Sequence, residues 1–162
     1  MSTLRFNTWQ NTGGTEVANS TLGTGKILQV IQDELTTEFT TTSTSDVAVP
    51  GLTVTITPSS ATSKILVIAS CAVSKNSTDY GLYTLYRGDV ATGTNLAGSG
   101  NYFGRVRSGS SDPYQIPSFH YLDSPATTSA TTYIVTARVT GGSTSVSTQN
   151  HKSTLTVMEV AA

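Results

Sequence analysis

The side chains that could do chemistry are few in this 162-residue chain: two histidines, one cysteine and ten acids. In "SFHYLDSP", His120 and Asp123 stand close in sequence, as a base and its orienting carboxylate would. Their odd offset puts them on opposite faces of a strand, so the reading is a half-exposed strand histidine. A nucleophilic serine among the 21 serines lacks a GxSxG elbow. "GTGK" hints at a phosphate loop, but Ser20 stands where the first glycine is needed, and Ile27 follows Lys26 where Ser or Thr is required. His151 and His120 show no HExxH spacing and Cys71 has no CxxC partner, so no metal site is expected. Glycoside hydrolysis needs two carboxyls facing each other across a sugar. The acids here are scattered, and Asp33, Glu34 and Glu38 read as strand-edge solubility charges. The expectation is a protein that is not an enzyme and holds no cofactor.

A binding surface is the better candidate. "NYFGRVRSGSSDPYQ" sets Tyr102, Phe103, Arg105, Arg107 and Tyr114 among small, flexible residues. Tyr and Arg amid Ser and Gly is the chemistry of adaptable recognition loops, and hot-spot energy concentrates in such side chains. Arg105 and Arg107, two apart, would share one face of a strand and could offer a paired positive surface to an acidic sugar. Two bland readings stand beside this. Phe103 could plug the core from its loop, and the arginines could pair with Asp112 or a neighbouring subunit. A second cluster, Leu4, Phe6 and Trp9, places the only tryptophan beside a stretch too poor in apolar residues to make a core. It reads as an anchor into another protein or around a symmetry axis, with Gly13 and Gly14 as a joint. The competing reading is an arm folded back over its own domain.

Composition sets the elements that must position these residues. Serine and threonine number 51 and charged residues make up 12%. Threonine and valine favour strands, and disorder would want a higher net charge than −1. That charge gives no basic field for nucleic acid or an anionic membrane. No apolar run approaches the roughly 18 residues of a membrane span, and no secretory signal is seen. The lone Cys71 forms no internal disulfide and reads as a small core residue. The sequons at Asn19 and Asn76 are the chance matches of a Ser/Thr-rich chain.

Along the chain, "KILQVIQ" and "ELTTEFTTT" are strand-length. "LTVTITP" alternates cleanly, with Leu52, Val54 and Ile56 on one face. "KILVIASCAV" is apolar on both faces: either a central strand covered on both sides, or one whose second face meets another subunit. "YGLYTLYRG" puts Tyr80, Leu82, Thr84 and Tyr86 on one side. "TYIVTARVT" puts Tyr133, Val135, Ala137 and Val139 inward and Thr136, Arg138 and Thr140 outward. Gly141-Gly142 signals a hairpin into "GGSTSVS", and "STLTVMEVAA" is the last strand. Residues 93–117 look like one long excursion, or two loops around a short strand. The expectation is an all-β chain: a single antiparallel β-sandwich, jelly-roll-like, of eight to ten strands over residues 26–162, with an extended N-terminal arm over 1–25.

The opening "STLRFNTWQNTGGT", the joint "GTGKILQVIQ", the strand pair "GLTVTITPSSATSKILVIASC", the hairpin "YLDSPATTSATTYIVTARV" and the ending "STLTVMEVAA" resemble small tail-fibre-like virion proteins of bacteriophages, of the marine and cyanobacterial type. The resemblance covers nearly the whole chain and carries no catalytic residue. It implies a structural protein with a knob similar to the trimeric jelly rolls of the TNF/C1q kind, assembled in the host cytoplasm into the virion. The expected partners are further copies of the chain, another virion protein through Leu4, Phe6 and Trp9, and a host-surface glycan or protein through Tyr102, Arg105, Arg107 and Tyr114. A capsid decoration protein is the alternative. "NLAGSGNYFGRVRSGSSDPYQIPS" is the part that matches least, which leaves the ligand open.

Overall fold

The computed structural model describes residues 25–98, 101–107 and 114–162; Leu4, Phe6, Trp9 and Asp112 lie outside them. Burial alternates along β-strands such as 52–56, 104–107 and 153–160, because a period of two puts one row of side chains against the core. Eight longer or sandwich-forming strands are β1 (Ile27–Leu35), β3 (Val47–Ile56), β4 (Lys64–Ser70), β6 (Tyr80–Arg87), β8 (Gly104–Arg107), β10 (Ser118–Asp123), β11 (Thr131–Val139) and β13 (Ser153–Val160). Five short ones are β2 (Phe39–Thr41), β5 (Val73–Lys75), β7 (Thr94–Asn95), β9 (Tyr114–Gln115) and β12 (Thr144–Val146).

One sheet runs β1-β13-β4-β10 and the other β3-β11-β6, with β7 and β8 both on β6. All of these pairings are antiparallel. With the eight sandwich strands taken in chain order, the two sheets read first-eighth-third-sixth and second-seventh-fourth-fifth. That is the order of a jelly roll. A small third sheet, β2-β12-β5-β9, lies beside them. Leu52, Val54 and Ile56 of β3, Tyr83 and Leu85 of β6, and Val135 and Ala137 of β11 face Ile65, Val67, Leu155 and Val157 of the first sheet in one core.

Several expected pairings are corrected by this order. The two runs at residues 26–42 are one nine-residue strand and a separate three-residue one, broken at Thr36–Glu38. "KILVIASCAV" breaks at Cys71-Ala72 into β4 and β5. The Gly141-Gly142 turn makes no hairpin: β11 pairs with β3 and β6, whereas β12 pairs with β2 and β5. "YLDSPATTSATTYIVTARV" likewise crosses from β10 in one sheet to β11 in the other. In a jelly roll most consecutive strands lie in opposite sheets, so a turn signal marks a crossover as readily as a hairpin. Residues 93–117, expected as one excursion or two loops around a short strand, contain three short strands, β7, β8 and β9. Thr136, expected outward, is fully buried.

A local irregularity in β3 has a covalent cause. Pro50 brings no N–H to the ladder and Gly51 sits at φ 77°. The β3–β11 register slips across this stretch, between Ile134 and Thr136.

Two buried carboxylates pin the sandwich. Asp123 on β10 accepts two hydrogen bonds of 2.8 Å from Arg87 Nη1 on β6 and one of 2.7 Å from Tyr133 Oη on β11, so one acid ties both sheets. Glu159 on β13 is fully buried. It accepts from the Ser59 backbone N–H at 2.8 Å, the Ser59 hydroxyl at 2.6 Å and Gln29 Nε2 at 2.6 Å. Burial alone would raise its carboxyl, but these donors outweigh burial and hold it at about 2. Cys71 is a buried core residue whose thiol burial pushes up to about 12.

Candidate recognition surfaces

The first surface is the outer face of the β1-β13-β4-β10 sheet. Register sets Val30 opposite Met158, Met158 opposite Leu66, and Leu66 opposite Leu122. Directly paired residues share a face, so these four form one row across the whole sheet. Their strand neighbours Ile65, Val67 and Val157 are fully buried, which puts the row outside. Val30 is 55% exposed and Leu122 49%. Ile27 and Val160 extend the apolar area on one side and Ile68 on the other. Charge is confined to its ends, with Lys64 at one and the Glu34–Lys152 pair, 3.0 Å, at the other. His120 lies on this face opposite Ile68, while Asp123 is buried on the inner one, the opposition expected from their spacing. Of the two readings of "KILVIASCAV", coverage of both faces is not what the described residues supply: Ile68 is 36% exposed.

The second surface is built on β8. Its burial alternates, with Gly104 and Val106 inward and Arg105 and Arg107 exposed, so the arginines do share a face. Tyr80 of β6 lies opposite Arg107, and Leu82 opposite Arg105. The Tyr80 ring therefore meets both cations: Arg105 Cζ is 4.6 Å and Arg107 Cζ 5.5 Å from its centroid. Arg107 Nε donates to the Thr78 carbonyl at 2.6 Å. Neither guanidinium reaches a carboxylate among the described residues; the described ion pairs belong to Arg87, Arg138 and Lys152.

Tyr114 lies nearby on β9. Ser74 of β5 is its partner, and the adjacent Gln115 side chain donates to the Arg107 carbonyl at 3.4 Å. Tyr102 stands apart, before the other end of β8, and is half-buried. Phe103 is the plug: its ring stacks on Phe119 at 5.8 Å and meets Tyr121 edge-on at 5.9 Å. Tyr80 was missed by sequence reasoning, since it sits 25 residues from Arg105 in a segment that gives no hint of its partner strand.

Behind this surface lies Lys75, fully buried, with Nζ donating to the Gly141 carbonyl at 2.8 Å and to the Ser77 hydroxyl. Burial lowers its pKa and the charge of Asp79 opposes that. Elsewhere, an open depression of about 510 Å³ beside Arg87 has Asp89 as the one carboxylate among its described lining residues. Among the described residues no group of three or more His, Cys, Asp or Glu is placed to hold a metal ion. No helix among the described residues is long and apolar enough to cross a membrane. No protein-family model matches the chain, and no curated protein matches its sequence.

Proposed function

We propose that the chain is a non-enzymatic structural protein of a bacteriophage virion: a homotrimeric tail-fibre subunit, anchored by residues 1–25 and meeting the host surface through the loops of its knob. The observation that carries the reading is the uncharged row Val30–Met158–Leu66–Leu122 with its apolar flanks. An apolar patch of this extent on one sheet face marks an interaction surface. Three features favour a second and third copy of the chain as its occupant. The face carries no net charge between its ends, so it can meet itself without like-charge repulsion. It spans all four strands of a rigid sheet, which is about 14 Å of strand spacing. Closed rotational symmetry also lets one patch be used in every subunit.

The cation pair on β8 supports the host-contact part of the reading, together with Tyr114 and, further off, Tyr102. Leu4, Phe6 and Trp9 are the anchor residues. The same apolar face could instead clamp a capsid protein, which is the decoration reading. Gold labelling of a C-terminal tag on intact virions decides between them. Label at the tail supports the fibre reading, label spread over the capsid favours decoration, and virions without label overturn both.

A further inference from the structure

We propose that Arg105, Arg107 and Tyr80 form a binding site for a surface glycan bearing a compact oxyanion, a carboxylate or a sulfate. This deepens the host-contact reading above and rests on it for its biological setting.

The site is preorganised. One ring holds two guanidiniums, and β8 holds their Cα atoms about 6.6 Å apart on one exposed face. Arg107 is pinned by its bond to the Thr78 carbonyl, so less side-chain freedom is lost when a ligand docks. Each guanidinium carries five N–H donors. Arg107 gives one to Thr78, and Arg105 gives none to a described residue. Donors remain in the planar fork that matches carboxylate and sulfate oxygens. Among the described residues the neighbouring carboxylate, Asp79, is already engaged: it acts on Lys75, takes a 3.4 Å hydrogen bond from Ser77, and packs against Gly141.

The scale of the site selects the ligand class. Two cations on a chain of net charge −1 make a point of attraction, not the track of positive charge that a nucleic acid backbone needs. The pair lies on an exposed strand face, where a pendant acidic group of a sugar can approach. The exposed Thr78 side chain beside the pair supplies a hydroxyl for sugar hydroxyls.

The test uses the full chain and four probes in biolayer interferometry at low and high salt: a galacturonate tetrasaccharide, a sulfated galactose tetrasaccharide, a neutral galactose tetrasaccharide and an acidic peptide of matched charge. One or both acidic sugars should bind at least tenfold more tightly than the neutral one, and salt should weaken them. Which acidic sugar binds identifies the oxyanion. Arg105→Ala with Arg107→Ala should lower that affinity tenfold or more at unchanged Tm. Tyr80→Leu should lower it several-fold, and Tyr80→Phe should keep it. Equal binding of the neutral sugar, retained affinity in the double variant, equal binding of the acidic peptide, or no binding of any probe at millimolar concentration would each overturn the proposal. Acidic-sugar binding by a chain absent from virions would leave this site standing and remove the virion reading alone. A chain that is present on virions whose double variant adsorbs to host cells normally would do the reverse.

Discussion

Leu122→Asp is the sharpest test of the trimer. Leu122 is 49% exposed, so about half of the 1.5–3 kcal/mol of full leucine burial, about 1 kcal/mol, remains to be gained when the face is covered. Three copies bring that to about 3 kcal/mol per trimer, or roughly a hundredfold in the association constant at ~1.4 kcal/mol per tenfold. Aspartate adds the cost of carrying three carboxylates into an apolar contact, which is larger again. In the monomer the substitution gives up only the half of the leucine that is already covered, about 1 kcal/mol, a small part of the roughly 5–15 kcal/mol that holds a domain folded. Sedimentation velocity at micromolar concentration should therefore show a trimer for the parent chain and a folded monomer for the variant. A monomeric parent chain would refute the reasoning, and so would a variant that remains trimeric. Val30→Asp, at the other end of the row, should behave alike.

The remaining predictions concern the pins and the anchor. Asp123→Asn weakens the tie to Arg87 and Tyr133, and chemical denaturation should show a loss of about 3 kcal/mol, since removing one partner leaves a partly buried charge unpaired. Glu159 has a depressed folded pKa, so its contribution is complete above the ordinary 4.5 and is lost as pH falls toward about 2. Thermal melts between pH 5 and 2 should show this fall, and Glu159→Gln should be less stable by about 2 kcal/mol at neutral pH with a shallower acid dependence. Trp9→Ala should leave the knob's circular dichroism and Tm unchanged while the chain is lost from purified virions; an unfolded knob would make the arm part of the core.

Strand composition and the period of two were legible because they depend on each residue's own chemistry. Threonine and valine prefer extended backbone, and alternation assigns faces, so Leu52, Val54 and Ile56, and Arg105 with Arg107, stand where their spacing puts them. The two-sided apolarity of residues 64–73 was also legible as a question with two answers. Which strand lies beside which was not, because ladder hydrogen bonds use backbone groups common to all residues and carry no sequence label. Hence Gly141-Gly142 read as a hairpin and is a crossover between sheets, and Thr136 read as outward and is buried. Tyr80 acquires its place under two arginines, and Asp123 its arginine and tyrosine, only because the jelly roll brings distant strands into register. The residues fixed the material of each face, and the tertiary pairing alone decided which faces meet and which pair of cations is left without a described carboxylate partner.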